Sequence, residues 1–337
     1  MARGTFPHTR AGERGYARPV GGQTQLPWSV PIMQAPIGPA TTVELVAAVS
    51  AVGALGTLAA SWTKPAKLQD QIRAIRSATS SPFCVNLVLA FDQRERLEVV
   101  LAEHVPVVSL SWGIDAALIG RARAAGAFVL VQVSDSEEAT VAAGAGASGL
   151  IAQGVEAGGH VQGTTPLMTL LRELSAAVAL PVVAAGGIAE PTRARHALNA
   201  GAQAVACGTA FLAAFEADVH EHYRDRLLAS DASDTELTEL FDVGWPNAAH
   251  RVIRNRTMTE WEAAGRPPAG RRPGEGDVVA KHGRTQVMRY SDAQPTSSTA
   301  GDIESMAMYA GTSVDDVRRA APSAVIVEAI AHSIHPR

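Results

Sequence analysis

The sequence predicts an α/β fold, a (β/α)8 TIM barrel followed by a smaller C-terminal segment of helices and lid-like chain. From Trp28 to Phe211, short β-branched segments alternate about eight times with alanine-rich segments of helical spacing. The strand segments are continuously apolar, which is typical of parallel strands that are covered by helices outside and by packed side chains inside. A doubly wound open sheet is the alternative that this pattern leaves open.

Each element follows from its own composition. The strand candidates are short and apolar and cover residues 29–35, 53–59, 82–89, 105–111, 127–133, 148–154, 181–187 and 203–208. The helix candidates between them are 41–51, 65–77, 94–103, 114–125, 136–146, 165–178 and 191–200. Several begin at residues that favour a helix N-terminus, namely Thr41 or Thr42, Ser134 or Asp135, and Pro191.

The composition divides the chain into four parts. Residues 1–25 contain several arginines but no apolar stretch of a secretory signal, so we expect a disordered lead-in. The barrel is expected over residues 26–215. A smaller helical and extended domain, placed to cover the substrate as a lid, is expected over 216–299, and a C-terminal helix that returns to the barrel over 300–337.

Two stretches of the smaller domain have contrasting compositions. Residues 216–240 are charged and predict helix, whereas 266–299 are rich in Gly, Pro, Arg and Ser and predict an extended, loosely ordered segment.

The composition also excludes several classes of partner. Lys and Arg total 29 against 33 Asp and Glu, a net charge of −4, so no basic surface for nucleic acid is indicated. Cys84 and Cys207 fall inside strand candidates, and no residue spacing suits a metal site. No apolar segment approaches the roughly 18 residues that cross a membrane. We expect a cytoplasmic protein, and a homodimer is among the arrangements that the sequence allows.

Glycine turns follow the seventh and eighth predicted strands. AAGGIA (184–189) contains Gly186 and Gly187, and CGTAF (207–211) contains Gly208 and Thr209. Glycines let backbone N–H groups approach an anion, and barrels commonly bind phosphate after these two strands. The sequence therefore predicts a phosphate site here, although a glycine also ends a strand for steric reasons alone.

The densest motif, QGVEAGGHVQG (153–163), follows the sixth strand. Its glycines exclude a helix, and it holds Glu156 and His160. An imidazole titrates near neutral pH and can accept a proton from a carbon acid, so we expect a functional role for His160. A structural histidine that anchors the loop is the alternative. Asn86 and Gln132 lie near the ends of other strands, where a buried amide binds either a ligand or neighbouring backbone.

These motifs together resemble the nitronate monooxygenase family, formerly called 2-nitropropane dioxygenases. The resemblance rests on PIMQAPIG (31–38), CVNLVL (84–89), QGVEAGGHVQG, AAGGIA and CGTAF, and continues more loosely to MYAGTS (308–313). It implies an FMN enzyme that oxidises alkyl nitronates or nitroalkanes, such as propionate 3-nitronate, with O2 to carbonyl compounds and nitrite. Related NAD(P)H-dependent reductases of quinones or enoyl thioesters share the same motifs and are the alternative.

The resemblance also implies roles for individual residues. FMN contacts would come from residues along the barrel mouth and the tail, namely Met33, Gln34, Ala35, Asn86, Gln132, Gln153, Gly158, Gly159, Gly186, Gly187, Gly208, Thr209, Tyr309 and Gly311. His160 corresponds to the catalytic base, which removes the proton next to the nitro group. VGWPNAAH (243–250) departs from the family pattern, with Trp245 where a basic residue is expected.

Overall fold

The computed structural model describes residues 25–332 and Ile334. The predicted disordered lead-in, residues 1–25, lies outside the described residues except for Gln25. No helix among the described residues has both the length and the apolar character needed to cross a membrane.

Eight parallel strands form a closed barrel. They are β1 (Ile32–Gln34), β2 (Gly56–Ala59), β3 (Phe83–Val88), β4 (Val107–Ser111), β5 (Phe128–Val133), β6 (Gly149–Gln153), β8 (Val182–Ala185) and β9 (Ala204–Cys207), and the short strand β7 (Gly159–His160) lies outside the barrel. The ladder runs β1-β9-β8-β6-β5-β4-β3-β2. Leu55 N–H donates to Ile32 O at 2.9 Å and Gln34 N–H donates to Leu55 O at 2.9 Å, so β1 and β2 close the ring. The predicted (β/α)8 barrel is confirmed.

Helices alternate with these strands on the outside. They are α1 (Val43–Ala51), α2 (Pro65–Ala78), α3 (Arg94–Ala102), α4 (Ala116–Ala124), α5 (Ser136–Gly144), α6 (Leu167–Ala177) and α7 (Pro191–Asn199). Local chemistry determines where they begin. Thr42 Oγ1 accepts from Leu45 N–H at 3.0 Å, and Asp135 Oδ1 accepts from Glu138 N–H at 2.8 Å. Pro191 occupies the first turn of α7.

The continuous apolar character of the strands has two causes. One set of strand side chains fills the barrel interior, with Met33, Leu55 and Leu130 among its buried members. The opposite set packs under the helices, where Val85, Val108 and neighbouring residues belong to the larger core. Both faces of most strand positions are therefore buried, and the strands are mainly apolar instead of alternating between core and solvent.

The chain after the barrel differs from the helical prediction for residues 216–240. After the short α8 (Thr209–Leu212), helix α9 covers only Glu221–Ala229, and Thr235–Thr238 form strand β10 instead. Ser230 has an extended backbone and ends α9, and Asp231 then begins a separate 3-10 turn with a capping box. Strand β10 pairs antiparallel with β11 (His250–Ile253), and β11 pairs with β7, which contains His160.

The prediction of a loosely ordered segment over residues 266–299 is wrong. After α10 (Arg256–Ala263), the chain forms an antiparallel sheet of β12 (Val278–His282), β13 (Thr285–Met288) and β14 (Thr299–Gly301). Gly283, at φ +57°, supports the tight turn between β12 and β13. The buried guanidinium of Arg272 bonds Asp242 at 2.8 Å and lies 4.2 Å from the Tyr290 ring centroid. Glycine and arginine here serve turns and buried contacts, which composition alone does not separate from disorder.

The C-terminal helix is also shorter than residues 300–337 predict. Helix α11 covers Ser323–Ala331 and packs against α1, α7 and α8. Upstream, Ile303–Ser305 and Thr312–Asp316 form 3-10 turns separated by extended chain. Pro322 precedes the helix and cannot continue a helical hydrogen-bond pattern from earlier residues. Residues 306–311, between the two 3-10 turns, approach the barrel mouth as extended chain.

Candidate active site

A cavity of about 1120 Å³ opens at the carboxyl ends of the barrel strands. It is lined by all of the residues predicted for the site except two, that is, by Met33, Ala35, Asn86, Gln132, Gln153, Gly158, Gly159, His160, Gly186, Gly187, Gly208, Thr209 and Tyr309. Because the carboxyl ends of parallel strands meet at one rim, residues far apart in the chain converge there.

Gln34 and Gly311 do not line the cavity. The Gln34 side chain is buried, and its Oε1 accepts from Thr57 N–H at 2.9 Å, so it joins neighbouring strands of the barrel. Gly311 N–H donates to Thr209 Oγ1 at 3.0 Å. A Cβ built on Gly158 would lie 2.4 Å from Gly311 N, which shows how closely the tail approaches the histidine loop. Gln34 and Gly311 therefore support the cavity wall through contacts with neighbouring residues and do not face the cavity.

The glycine turns after β8 and β9 form a cradle of backbone amides. In the described part of the chain, the N–H groups of Gly187 and Gly208 donate to no protein acceptor. A Cβ on Gly208 would meet nothing closer than 3.7 Å, so its open side faces the cavity. Gly187, at φ +65°, adopts a backbone conformation that favours glycine. Unpaired amides beside a cavity suit the oxygens of a phosphate group.

A chain of side-chain amides determines which atoms face the cavity. The Glu138 carboxylate can only accept hydrogen bonds, so Gln162 Nε2 donates to it at 2.9 Å. Gln162 Oε1 then accepts from Gln132 Nε2 at 3.2 Å and from Trp112 N–H at 3.1 Å. Gln132 Nε2 also donates to Gln153 Oε1 at 3.2 Å. The Gln132 carbonyl oxygen is therefore left for a ligand.

The amides of Gln153 and Asn86 are more fully engaged by the protein. Gln153 Nε2 donates to the His160 carbonyl at 3.1 Å, and its Oε1 accepts from Gln162 N–H at 2.9 Å, which anchors the histidine loop. Asn86 Nδ2 donates to the hydroxyl oxygens of Ser109 and Ser111 at 3.1 and 3.4 Å. Asn86 Oδ1 accepts no hydrogen bond from the described residues, so it remains available at the cavity wall.

The imidazole of His160 lies in an aromatic environment. Its ring stacks on Trp245, with centroids 4.3 Å apart and an interplanar angle of 25°. Its Nε2 is buried and bonds no described residue. Burial, with a smaller contribution from the charge that His250 could carry, lowers the pKa of His160 to about 3. The ring is therefore neutral at physiological pH and has a free lone pair.

Strand β11 holds this loop in place. His160 pairs with His250 and Gly159 with Arg251 across the two strands. His250 Nε2 accepts from Phe241 N–H at 3.3 Å, so its Nδ1 carries the proton and donates to Ala248 O at 2.8 Å. Burial lowers the pKa of His250 as well. Two adjacent imidazoles, with ring centroids 5.3 Å apart, are thus both kept neutral.

The tail closes one side of the cavity. Tyr309 donates its hydroxyl proton to Asp292 O at 2.7 Å, and the Tyr223 hydroxyl donates to Tyr309 O. Asp292 itself lines the cavity, and burial raises the pKa of its carboxyl to about 6. A Cβ on Gly244 would lie 2.2 Å from Asp292 Oδ1, and Gly244 has φ +119°, so a larger residue here would displace the carboxylate and strain the backbone.

Sequence reasoning missed several residues of the cavity wall. Trp62, Trp112, Lys64 and Gln294 all line it, and the buried Gln294 Nε2 bonds no described residue. The sequence could have pointed to Trp62, Trp112 and Lys64, because each follows the end of a predicted strand. Gln294 lies in the segment that was predicted to be loosely ordered, so nothing in the sequence pointed to it.

The residues at this mouth make no metal centre. Among the described residues, no group of three or more His, Cys, Asp or Glu side chains is arranged to hold a metal ion. An amide cradle, free amide carbonyls and a neutral histidine at the mouth of a (β/α)8 barrel instead have the chemistry that suits an organic cofactor with a phosphate group. This is the class of flavin-dependent barrel oxidoreductases.

Comparison with known proteins identifies the family. The sequence profile of the family described as nitronate monooxygenase matches residues 24–95 and 89–333, so the chain belongs to the nitronate monooxygenase family of flavin oxidoreductases. It is 34% identical over 286 residues to the nitronate monooxygenase of Pseudomonas aeruginosa, covering 71% of this chain and 80% of that protein.

Other relatives have different names. The chain is 33% identical over 239 residues to a Mycobacterium tuberculosis hydroxy-methyl-oxo-octahydroindene-carboxyl-CoA dehydrogenase, covering 70% of this chain and 66% of that protein. FabK from Thermotoga maritima has a TM-score of 0.77 at 29% identity and covers 91% of this chain and 93% of its own. A nitroalkane oxidase from Streptomyces ansochromogenes has a TM-score of 0.75 at 30% identity, with 91% and 96% covered.

Proposed function

We propose that this enzyme binds FMN and uses O2 to oxidise alkyl nitronates and nitroalkanes to carbonyl compounds and nitrite. The observation that carries this proposal is the neutral imidazole of His160, whose buried Nε2 bonds no described residue and which lines the same cavity as the glycine cradle. A base for a carbon acid and a phosphate-binding surface thus share one space. Family membership supports the same reaction class.

The residues present fit FMN. The amides of Gly187 and Gly208, with Thr209, would hold its phosphate, and the strand end at Met33 and Ala35 would lie along the ring. The carbonyl oxygens of Gln132 and Asn86 would accept from the ring N–H or the ribityl hydroxyl groups of the cofactor. A flavin bound there would provide the two-electron redox chemistry of the oxidation, with O2 as the final oxidant.

His160 would act on the neutral nitroalkane. Burial keeps the imidazole in the unprotonated form that a general base needs. The negative charge that develops on the nitronate beside it would stabilise the imidazolium that forms when the ring accepts the proton from the carbon next to the nitro group. Stacking on Trp245 and the bond from Gln153 to the His160 carbonyl fix the ring and the loop. A nitronate that is already deprotonated does not need this step.

A second candidate is an NAD(P)H-dependent reductase of quinones or enoyl thioesters. It is favoured by the similarity to FabK over nine-tenths of the chain and by the 33% identity to a carboxyl-CoA dehydrogenase. Both candidate reactions would use the same flavin cradle, because the fold places the cofactor and not the substrate.

Anaerobic reduction of the purified protein distinguishes the nitronate oxidation from the NAD(P)H-dependent reductase activity. We would record the absorbance spectrum, add ethyl nitronate to one sample and NADPH to another, and follow the flavin band. Bleaching by ethyl nitronate but not by NADPH is the expected result. Bleaching by NADPH alone would assign the chain to the reductases, and absence of flavin after FMN is supplied would contradict the cofactor.

A further inference from the structure

An aromatic wall extends outward from His160 along the cavity. We use this term for Trp62, Phe91, Trp112 and Trp245. Trp245 contacts all three of the others, with ring centroids at 4.7 Å from Trp112, 5.1 Å from Phe91 and 6.3 Å from Trp62. Three of the five tryptophans of the chain line this one cavity, although aromatic residues make up only 5% of the sequence.

The wall is held in place at a conformational cost. Trp112 has φ +59°, a left-handed conformation that a bulky residue rarely adopts. Its N–H is held by Gln162 Oε1 at 3.1 Å, at the end of the amide chain that begins at Glu138. Strain of this kind persists where the surrounding structure requires a particular side-chain position, and here it aims an indole into the cavity.

The outer end of the wall is exposed to solvent. Trp62 is 58% exposed and lines the cavity, and its ring packs edge-on against Phe91 outside the cavity lining, with centroids 5.7 Å apart. Large exposed apolar groups that continue into a cavity usually mark a binding surface, because their burial by a ligand releases free energy.

The cavity is also larger than one flavin requires. Cavities that hold a single drug-sized molecule measure about 300–1,000 Å³, whereas this one measures about 1120 Å³. The predicted flavin residues occupy the barrel end near Gly187 and Gly208, and the aromatic wall borders the remainder. A substrate as small as nitroethane would leave this second part filled with water.

We propose that the aromatic wall binds the extended apolar body of the substrate, so that this enzyme prefers nitro compounds bearing a long alkyl or arylalkyl chain over short ones. The inference rests on the proposed nitronate function for its kinetic test. The reacting carbon lies beside His160, and the chain runs along Trp245 towards Trp62. Each methylene placed against the wall raises affinity by up to about four-fold, the equivalent of about 0.8 kcal/mol per buried CH2.

The test combines kinetics with equilibrium binding. We would measure kcat/KM for the nitronates of nitroethane, 1-nitrohexane and 2-phenylnitroethane, and the Kd of propionate and octanoate by quenching of tryptophan fluorescence. Carboxylates resemble the nitronate group in shape and charge but do not react, so their binding does not depend on turnover. We expect at least a ten-fold preference for the longer member of both series.

A matched pair of variants assigns the preference to the wall. In Trp62→Ala the preference for the long compound should fall several-fold, both as the long-to-short ratio of kcat/KM and as the ratio of the propionate Kd to the octanoate Kd. In Phe215→Ala the ratio should stay unchanged, because Phe215 is 61% exposed but lies outside the cavity.

The outcomes separate this inference from the proposed function. Equal kcat/KM for short and long nitronates, with equal Kd values for the two carboxylates, would overturn the inference while leaving nitronate oxidation intact. Tight octanoate binding without turnover of any nitronate would support the wall and refute the nitronate function. A preference that survives Trp62→Ala would also overturn the assignment.

Discussion

The imidazole of His160 and the indole of Trp245 lie stacked, with centroids 4.3 Å apart, across the mouth of the barrel. The two residues come from different elements, since His160 is in β7 and Trp245 precedes β11, the strand that pairs with β7. The indole covers one face of the imidazole and contributes to the burial that keeps it neutral. This contact links the proposed base to the proposed substrate-binding wall.

The first prediction concerns the base. His160→Asn should slow oxidation of neutral nitroethane by about 10²–10⁴-fold, because a general base is lost, and should largely spare ethyl nitronate. Steady-state rates with both substrates and the same flavin-loaded enzyme provide the measurement. Equal losses on the two substrates would contradict the role of His160 as a base.

The second prediction concerns the pKa of that histidine. Trp245→Ala admits water to one face of the ring, so the pKa of His160 should rise from about 3 towards the ordinary value of 6.5. An NMR titration of the histidine ring protons measures it. His282, whose Nδ1 contacts Thr299 Oγ1 and whose ring does not pack on Trp245, serves as reference and should titrate unchanged. An unchanged pKa of His160 in the Trp245→Ala variant would show that Trp245 does not contribute to the desolvation of this histidine.

The third prediction tests the phosphate cradle. Gly208→Val should weaken flavin binding at least ten-fold, because the side chain enters the space beside the unpaired amides. The nearest atoms to a Cβ here are 3.7 Å away, so the barrel itself accommodates the change. Flavin fluorescence would give the Kd, and thermal unfolding of the flavin-free protein would show whether the fold is intact. If Gly208→Val bound flavin as tightly as the unchanged protein, the assignment of phosphate binding to these amides would be wrong.

The fourth prediction concerns the contact between the tail and the histidine loop. Gly158→Ala should destabilise the protein by about 1–3 kcal/mol, because its Cβ would overlap backbone atoms of the tail; that Cβ would lie 2.5 Å from Ala310 C. Gly120→Ala is the matched control. Gly120 is exposed within α4 and its Cβ meets nothing within 4 Å, so this change should stabilise by about 0.5–1 kcal/mol. Denaturant unfolding measures both, and a neutral Gly158→Ala would show that the tail can move away.

The fifth prediction concerns pH. Burial raises the pKa of Asp292 from 3.8 to about 6, so the folded state binds this proton more strongly than the unfolded state. The stability that protonation contributes is present below pH 3.8 and is lost as the pH rises through about 6. Asp292→Asn, which stays neutral, should therefore raise the Tm above pH 6, and the advantage should shrink towards pH 4. A Tm difference that does not vary with pH would contradict the burial of this carboxyl.

The sequence predicted the barrel because its signal is local and repeated. Each strand is buried on both faces, and several helices begin at a residue such as Thr42 or Asp135 that caps them, so pattern and structure agree for most elements. The glycine turns and the histidine loop were also visible, because strand order in a barrel requires that the segments after the strands share one rim.

The sequence predicted the structure of the chain after the barrel less well. Residues 266–299 form a sheet whose order depends on Arg272, a buried cation held by carboxylates and an aromatic ring. Contacts between residues this far apart in the chain leave no periodic pattern in the sequence. The same composition suits a flexible segment equally well, which is why loose order was predicted there.

The sequence by itself determined the barrel, the position of His160 at its mouth and the family to which the chain belongs. Only the tertiary structure decided the state and surroundings of that histidine. A sequence does not reveal that Trp245 stacks on His160, that Glu138 orients the Gln132 amide through Gln162, or that Gln34 faces a neighbouring strand. Burial and hydrogen-bond direction depend on every neighbour in space, and those neighbours come from distant parts of the chain.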